Sequence, residues 1–519
     1  MNKSGRQIVK AATLVMALFI VSRALGLVRQ MVVGALFGTG GDLDAYLAAA
    51  RIPEMIFLIV AGGALGSAFI PTFADHLAKK DRAGAWQMAS AVVNLALVVL
   101  TAIAALTAIF APMLVRTVIA PGFAASQQAL TTSLLRLMLI SPVIFGVSGI
   151  VMGALNAQQH FLLPALAPVV YNLSIIGGAL LLGPRMGVRG MAVGVVVGAA
   201  LHLLVQVPGL LRYGARYVPT LGLNNPSVRE VGRLMPPRML GTAIVQLNFV
   251  VNNSLASGLG EGAVSAINYA WLLMMLPQGV FAQAVGTAAF PTFATQVARG
   301  EKSEMRSTLA AILRAIFVLC IPATVGLLAL GRPLVALLFE RGAFGTTSTE
   351  AVVWALTLYA LGLVGHAGLE IIARAFYALH DTFTPVWVGG LAMGINVALS
   401  LTLPRMFGLM SWPPHAGLAL ANSVATLLEL VALLLLIQRR MGGIEGHRML
   451  TAFAKSGLAS LVMGAALLGW QTVLPNAGSL VLGGGGIVLG AAAYAVAALL
   501  LRVEELQLVM RLILRRQAK

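Results

Sequence analysis

Runs of about twenty or more apolar residues recur along the whole chain, separated by short charged or Pro/Gly-rich breaks, and they leave few folds open. In lipid every backbone N–H and C=O must be satisfied within the protein, so a span is a helix or part of a closed barrel. A helix crossing the ~30 Å hydrocarbon core needs about 20 residues. Cutting the chain at its breaks predicts fourteen spans, approximately 8–38, 45–75, 85–112, 128–155, 161–183, 188–211, 232–258, 263–296, 307–330, 350–379, 384–403, 415–438, 450–473 and 479–501. Only 10% of the 519 residues are charged while 59% are hydrophobic, a balance that excludes a water-soluble protein of this length. The fold class is an all-α polytopic membrane protein.

Lys3, Arg6 and Lys10 before the apolar Ala11–Ile20 imitate a secretory signal, but Ser22-Arg23 stands where a small-residue cleavage site should follow. The segment is therefore the first span. Cys320, the single cysteine, lies in an apolar run, so an intramolecular disulfide and thiol-pair chemistry are excluded and the residue reads as packing. The formal charge of +18 would suggest nucleic acid in a soluble chain; here its placement decides. Lys3/Arg6/Lys10, Lys79/Lys80/Arg82, Arg212/Arg216/Arg229/Arg233, Arg299/Lys302/Arg306, Arg439/Arg440/Arg448 and Arg511/Arg515/Arg516/Lys519 all fall on one side of the fourteen-span layout. The positive-inside rule makes that side cytoplasmic, with both termini inside and no nucleic-acid partner. Two readings stand for the tail 502–519: an amphipathic helix on the anionic leaflet, or a solvated stop-transfer tail.

Gly66 to Ala74 reappears as Gly286 to Ala294, with Pro71 and Pro291 separated by 220 residues. Pro121-Gly122-Phe123 and Arg341-Gly342-Ala343-Phe344 repeat at the same offset of 220, Ala154–Pro164 and Ala375–Pro385 at 221, and Ser22–Gly26 and Pro237–Gly241 at 215. Four matches in one order indicate a duplication of spans 1–6 as 7–12. Six spans return the chain to its starting side, so the halves are expected to be parallel repeats. The layout is then an N-lobe at 1–220, a C-lobe at 221–440, and spans 13 and 14 with a basic tail at 441–519. Such an architecture suits a rocking transporter with its substrate between two lobes.

Several motifs in the right order resemble the MurJ (MviN) family of lipid II flippases, within the multidrug/oligosaccharidyl-lipid/polysaccharide exporter superfamily. They are Ser22-Arg23-x-Leu25-Gly26-x-x-Arg29, Phe37-Gly38 with Asp44-Ala45, Arg51-Ile52-Pro53, Ala64 to Pro71 and Ala120-Pro121-Gly122-Phe123. Leu155-Asn156, Pro164-Ala165-x-Ala167-Pro168-x-x-x-Asn172, Phe339-x-Arg341-Gly342-Ala343-Phe344 and Arg374-Ala375-Phe376-Tyr377-Ala378-x-x-Asp381-Thr382-x-Thr384-Pro385 continue the likeness over nearly the whole chain. The resemblance implies fourteen helices, two six-helix lobes around a cationic cavity, and a last helix pair forming a groove for a polyprenyl tail. It implies an undecaprenyl-pyrophosphate disaccharide-pentapeptide as substrate, moved from the inner to the outer leaflet of a bacterial cytoplasmic membrane. Membrane lipids and other cell-wall synthesis proteins are the further partners it implies, and no cofactor.

A pyrophosphate inside a membrane must meet fixed positive charge, and Arg pairs its oxygens bidentately. An intramembrane charge costs roughly 2.5–3.5 kcal/mol on insertion scales, so it faces a cavity or a partner. Arg23, Arg29 and Arg51 meet this description; the resemblance places the first two on a cavity-lining helix. Six residues separate Arg23 from Arg29, some 120° apart on a straight helix, so they share a face only through a bend near Gly26. Each could instead be neutralised by Asp44, Glu54 or backbone carbonyls. Arg238, the repeat mate of Arg23, is a cavity residue or a boundary charge. Asp44 is a gate that pairs with an Arg across the lobes, or a plain loop carboxylate. Glu370 and Arg374 stand at i and i+4, the spacing of an internal ion pair, with ion coupling at Glu370 as the sharper alternative. His366 reads as a satisfied polar residue, and Asn172, Asn252 and Asn253 as interhelical hydrogen-bonding groups.

The sequence departs from the family pattern at three places. Phe57 and Leu58 stand on the second span, and Trp271-Leu272 on the eighth, where the family carries Arg and an Asp-Arg pair; Gln30 stands where an Asp often follows. Scattered histidines, no phosphate loop and no metal-ligand spacing argue against an enzyme. An exporter of another polyprenyl-linked glycan, or a non-transporting membrane partner with a degenerate cavity, remain the alternatives to a lipid II flippase.

Overall fold

The computed structural model describes residues 3–59 and 68–505; the side chains of 3–14, 237–238, 240–242 and 244–245 lie outside the described set. Every regular element among the described residues is helical: α1 Lys3–Phe37, α2 Gly41–Phe57, α3 Ile70–Ala78, α4 Arg82–Ile119, α5 Ala125–Ala157, α6 Leu162–Met186, α7 Val188–Arg212 and α8 Pro226–Ser257. The chain continues as α9 Ala263–Ala298, α10 Lys302–Phe339, α11 Thr346–Leu361, α12 Leu363–Ala378, α13 Phe383–Leu409, α14 Pro414–Met441, α15 Gly446–Val473 and α16 Leu480–Leu500. Among them eleven are long and apolar enough to cross a membrane, and twelve if α11 and α12, bent by 45°, form one span. Two predicted spans fall outside that count. The second runs through residues 60–67, which lie outside the described set, and the seventh, α8, is diluted by Gln246, Asn248, Asn252 and Asn253.

The chain divides into two compact units, Met1–Val264 with Gly342–Phe344, and Ser265–Arg341 with Gly345–Lys519. In the first, α1 packs on α6, α6 on α7, α2 on α5 and α4 on α5, and α8 packs against α2 and α4. In the second, α13 packs on α14, α10 on α11, α12 and α15, and α15 on α16. Helix α8, assigned by repeat counting to the second half, thus lies within the first compact unit.

Local geometry recurs at the repeat offset. Asp81 and Glu301 occupy the N-cap positions of α4 and α10 with φ of −87° and −82°, each preceded by a left-handed residue, Lys80 at 61° and Gly300 at 75°. Gln159 and His380 both close a helix at φ 58°. A buried polar triad repeats as well. In the first unit Ser148 Oγ lies 2.7 Å from His202 Nδ1 and accepts from Gln206 Nε2 at 2.8 Å. In the second, His366 Nε2 lies 3.0 Å from Asn422 Oδ1 and 3.4 Å from Thr426 Oγ1. The two halves place the histidine on opposite partners of the same helix pair, so the position of the polar contact persists although the residues exchanged. Interhelical hydrogen bonds of this kind fix a helix pair's register where lipid supplies no hydrophobic drive.

Small residues do the same job by removing bulk. A Cβ on Gly178 of α6 would meet the Gly190 carbonyl oxygen and Gly194 Cα of α7, both at 2.7 Å, whereas one on Gly177 meets nothing within 4 Å. Ser174 Oγ donates to the Gly194 carbonyl at 3.0 Å across the same seam. Gly178→Ala should therefore lower the unfolding temperature of the detergent-solubilised protein, by overpacking worth roughly 1–3 kcal/mol. Gly177→Ala should leave it within error; equal behaviour of the two variants would remove close approach as the reason for Gly178.

Candidate functional site

Helix α1 carries no buried side chain from Val15 to Gln30, although its sequence is apolar throughout this stretch except for Ser22, Arg23, Arg29 and Gln30. Arg29 sits on it, half-buried, and its charge, together with that of Glu54 on α2, acts on the hydroxyls of Tyr46 on α2 and Tyr171 on α6. Arg51 completes the group. Its Nη1 lies 3.4 Å from Glu54 Oε2, and its guanidinium lies over the Phe249 ring of α8 at 5.6 Å. Three helices of the first unit thereby bring two cations, one carboxylate and two phenols together, with a fourth contributing an aromatic face.

The Arg51–Glu54 pair is long, and Glu54 is 55% exposed, so its net worth falls within the ~0–1 kcal/mol of surface pairs. An anion entering the group can take Arg51 from Glu54 at little cost. The aromatic face of Phe249 holds the guanidinium without consuming its N–H donors. Two guanidinium groups and two phenolic hydroxyls are the kinds of donor that suit the oxygens of a phosphate or pyrophosphate.

The other candidates lie elsewhere. Arg23 is exposed, about one and a half turns back along α1, with its guanidinium 5.3 Å from the Phe19 ring centroid. Helix α1 runs without interruption through Gly26, where no break appears. Arg238 lies on α8, but its side chain is outside the described residues. Asp44 is fully buried at the start of α2 and accepts a hydrogen bond from Gly262 N at 2.7 Å; nearby, Gly41 N donates to Glu261 Oε1 at 2.7 Å and Gln127 Nε2 to the Gly41 carbonyl at 2.9 Å. These contacts tie the loop between α8 and α9 to the loop before α2. In the second unit Arg374 Nη1 lies 2.7 Å from Glu370 Oε1, and the same guanidinium covers Gly286 of α9, where a Cβ would fall 2.1 Å from Nη1.

The asparagines divide. Asn253 Nδ2 donates across to the Ile119 carbonyl at 2.9 Å, while Asn172 Nδ2 turns back on its own helix to Pro168 and Asn252 to Asn248. Asp381 of the Asp-Thr-x-Thr motif caps α13, accepting from Phe383 N, Thr384 N and Thr384 Oγ1 and pairing with Arg440. Those Thr384 hydrogen bonds hold its carboxyl below the usual range. The positions that depart from the family pattern are filled by aromatic packing: Phe57 stands 4.7 Å from Phe145, and Trp271 5.3 Å from both Tyr359 and His366.

Three groups escaped the reading of the sequence. Tyr46 and Tyr171 looked like span residues, yet they share the field of Arg29. Glu429 was the more visible omission, the sole acidic residue of α14, more than three turns inside an apolar run. Its carboxylate faces α13, where a Cβ on Gly389 would meet Oε1 at 3.2 Å, and its charge reaches Tyr377 together with that of Glu370.

A family model described as lipid II flippase MurJ matches residues 33–483. The lipid II flippase MurJ of Burkholderia cenocepacia is 33% identical over 433 residues, covering 81% of this chain and 82% of the relative. A probable lipid II flippase MurJ of Vibrio cholerae is 29% identical over 480 residues, 90% of each. Among solved structures, a lipid II flippase MurJ in an inward closed conformation superposes with a TM-score of 0.79 at 25% identity, covering 94% of this chain and 99% of that one. A multidrug resistance MATE family transporter of the MOP superfamily, inward-facing, shares the fold at TM-score 0.69 and 17% identity, covering 83% of this chain and 98% of its own. A match that spans most of the chain, on an all-helical fold with charged residues set inside its spans, makes this protein a member of the MurJ lipid II flippase family.

Proposed function

We propose that this chain carries lipid II, an undecaprenyl-pyrophosphate-linked peptidoglycan precursor, from the inner to the outer leaflet of a bacterial cytoplasmic membrane by alternating access. The observation that carries the reading is the family match over 33–483, joined to the Arg29 and Arg51 group on the first unit. The layout proposed with it has fourteen spans, both termini in the cytoplasm, repeat lobes at 1–220 and 221–440, and a C-terminal pair with its tail at 441–519. In this scheme Arg23, Arg29, Arg51 and Arg238 are the pyrophosphate ligands. Glu54 releases or holds Arg51 as the cycle proceeds, Asp44 acts as a gate through the loop between α8 and α9 that it ties to α2, and the Glu370–Arg374 pair stabilises the second lobe. The protein performs transport without a reaction of its own, and other cell-wall synthesis proteins are its proposed partners.

A second reading, export of a different polyprenyl-linked glycan, is favoured by Phe57 and by Trp271-Leu272, where packing replaces the family's cations. The two separate in cells depleted of their own lipid II flippase. Expression of this chain is expected to restore growth and outer-leaflet lipid II. Failure with confirmed membrane insertion would transfer the assignment to the second reading.

A further inference from the structure

The second unit contains a pocket of about 200 Å³ that the transport reading does not use, at the junction where α16 ends and α15 begins, beside α10. Its floor is apolar, formed by the buried Ala452 and Val503. Four cations line it, Arg314, Arg448, Lys455 and Arg502, with Glu504 and Glu505 among the other lining groups.

The carboxylates do not cancel the cations at the opening. Arg314, only 14% exposed, takes Glu505 on Nε at 2.8 Å and Glu445 on Nη1 at 2.9 Å, so two of three nearby acids are committed to one anchoring guanidinium. That pairing, together with Arg448, holds the Glu445 carboxyl below its usual range. Arg448 reaches Glu445 only at 3.5 Å and is 72% exposed. Lys455 Nζ gives one hydrogen bond, to the Arg502 carbonyl at 3.1 Å, and keeps its other donors. The Arg502 side chain has no ion pair among the described residues. Three cations with spare donors, Arg448, Lys455 and Arg502, therefore outnumber Glu504, the lining carboxylate that Arg314 does not take.

Two backbone features build this arrangement. Arg502 stands at φ 52° just after α16, in a turn closed by Arg502 N to the Leu499 carbonyl and Val503 N to the Ala498 carbonyl, a position where glycine is the usual choice. Glu445 stands at φ 53° just before α15 and directs its side chain to Arg314 rather than capping its own helix. Left-handed backbone at non-glycine residues persists where the surroundings fix it, and it gathers at ligand clamps. Beside the opening, α15 and α16 present exposed apolar side chains, Leu450, Phe453, Leu458 and Leu500.

We propose that this pocket binds a phosphate ester, specifically the phosphate of an anionic glycerophospholipid whose acyl chains lie along α15 and α16. Basic pockets between helices at headgroup depth recognise such groups, and Lys and Arg donors suit phosphate oxygens. Every residue lining the pocket belongs to the second unit, and none of them is part of the Arg29 group.

The test uses the full chain, purified in detergent and delipidated, titrated with phosphatidylglycerol, with phosphatidylcholine of the same acyl chains, and with glycerol phosphate or inorganic phosphate. Binding is read by native mass spectrometry and by the shift in unfolding temperature. Phosphatidylglycerol is expected to bind at least tenfold more tightly than phosphatidylcholine. Arg502→Gly is the informative variant because it removes the guanidinium while suiting the left-handed backbone, so the protein should fold at least as well as before. It should weaken phosphatidylglycerol at least tenfold, and Arg502→Gly with Lys455→Gln should abolish the preference. Equal binding of the two lipids, or an unchanged preference in the double variant, would overturn the site. Saturation by soluble phosphate without any lipid preference would overturn the lipid as its source.

Discussion

Arg29→Ala should abolish transport while leaving the protein in the membrane at its normal level. Arg29 is the one described arginine on α1 that is half-buried rather than exposed, and two phenols, Tyr46 and Tyr171, feel its charge. A guanidinium there can give a phosphate two parallel hydrogen bonds, each worth about 1.5–3 kcal/mol when one partner is charged. Losing both costs on the order of 10²- to 10⁴-fold in the stability of the loaded state. Arg29→Lys keeps the charge but loses the planar fork, so partial activity is expected. Arg23→Ala should cost less, because that side chain is exposed and rests on Phe19. The measurement is outer-leaflet lipid II in flippase-depleted cells, normalised to membrane protein level. Full activity of Arg29→Ala would show that the α1–α2–α6 group does not hold the pyrophosphate.

Span positions were legible because hydrocarbon imposes a simple rule on composition. The predicted 188–211, 263–296 and 384–403 correspond to helices Val188–Arg212, Ala263–Ala298 and Phe383–Leu409. Helices overrun the predicted limits at their ends, as at Lys302–Phe339, because a span continues into water as long as its N-terminal turns are good helix formers. The seventh span resisted a hydropathy count through the asparagines of α8. The duplication was legible in short motifs. Its structural expression, the Ser148–His202–Gln206 and His366–Asn422–Thr426 triads, was not, because the residues changed identity while the contact stayed in place.

The site was legible only in its charges. An arginine inside an apolar run announces itself, and Arg29 and Arg51 were found that way. Which cations converge depends on how α1, α2, α6 and α8 pack, and that packing is made of glycines, alanines and tyrosines whose spacing resembles any other span. A bend at Gly26 would have put Arg23 beside Arg29, but glycine permits a bend without requiring one. Asp44 illustrates the same limit. Its sequence position suggests a loop carboxylate or a gate, whereas its complete burial and bond to Gly262 N follow from a chain segment more than two hundred residues away.

Gly342→Ala should open the end of α1 and reduce transport, while Gly345→Ala, three residues on, should do neither. Gly342 and Gly38 interlock within the first unit. A Cβ on Gly342 would fall 2.2 Å from the Ala35 carbonyl oxygen, and one on Gly38 2.5 Å from that of Ala343. Ala343 N donates to the Ala35 carbonyl at 2.8 Å, so the glycines allow two backbones to meet at hydrogen-bond range. Both have positive φ, 59° and 62°, which for alanine alone costs about 1–2 kcal/mol. The overlap is with backbone, which no rotamer can relieve, so the Ala343–Ala35 bond must break and the fully buried Phe344 must shift. Gly345 has an ordinary φ of −86° and open space where a Cβ would go. Hydrogen exchange followed by mass spectrometry reads the difference directly, because the Ala343 amide is protected by that single bond. A cost above about 1.4 kcal/mol corresponds to at least tenfold faster exchange at Ala343 in Gly342→Ala. Unchanged exchange would mean that the loop tolerates the added carbon by a route other than opening, and the close approach at Gly342 would then have no part in the transport cycle.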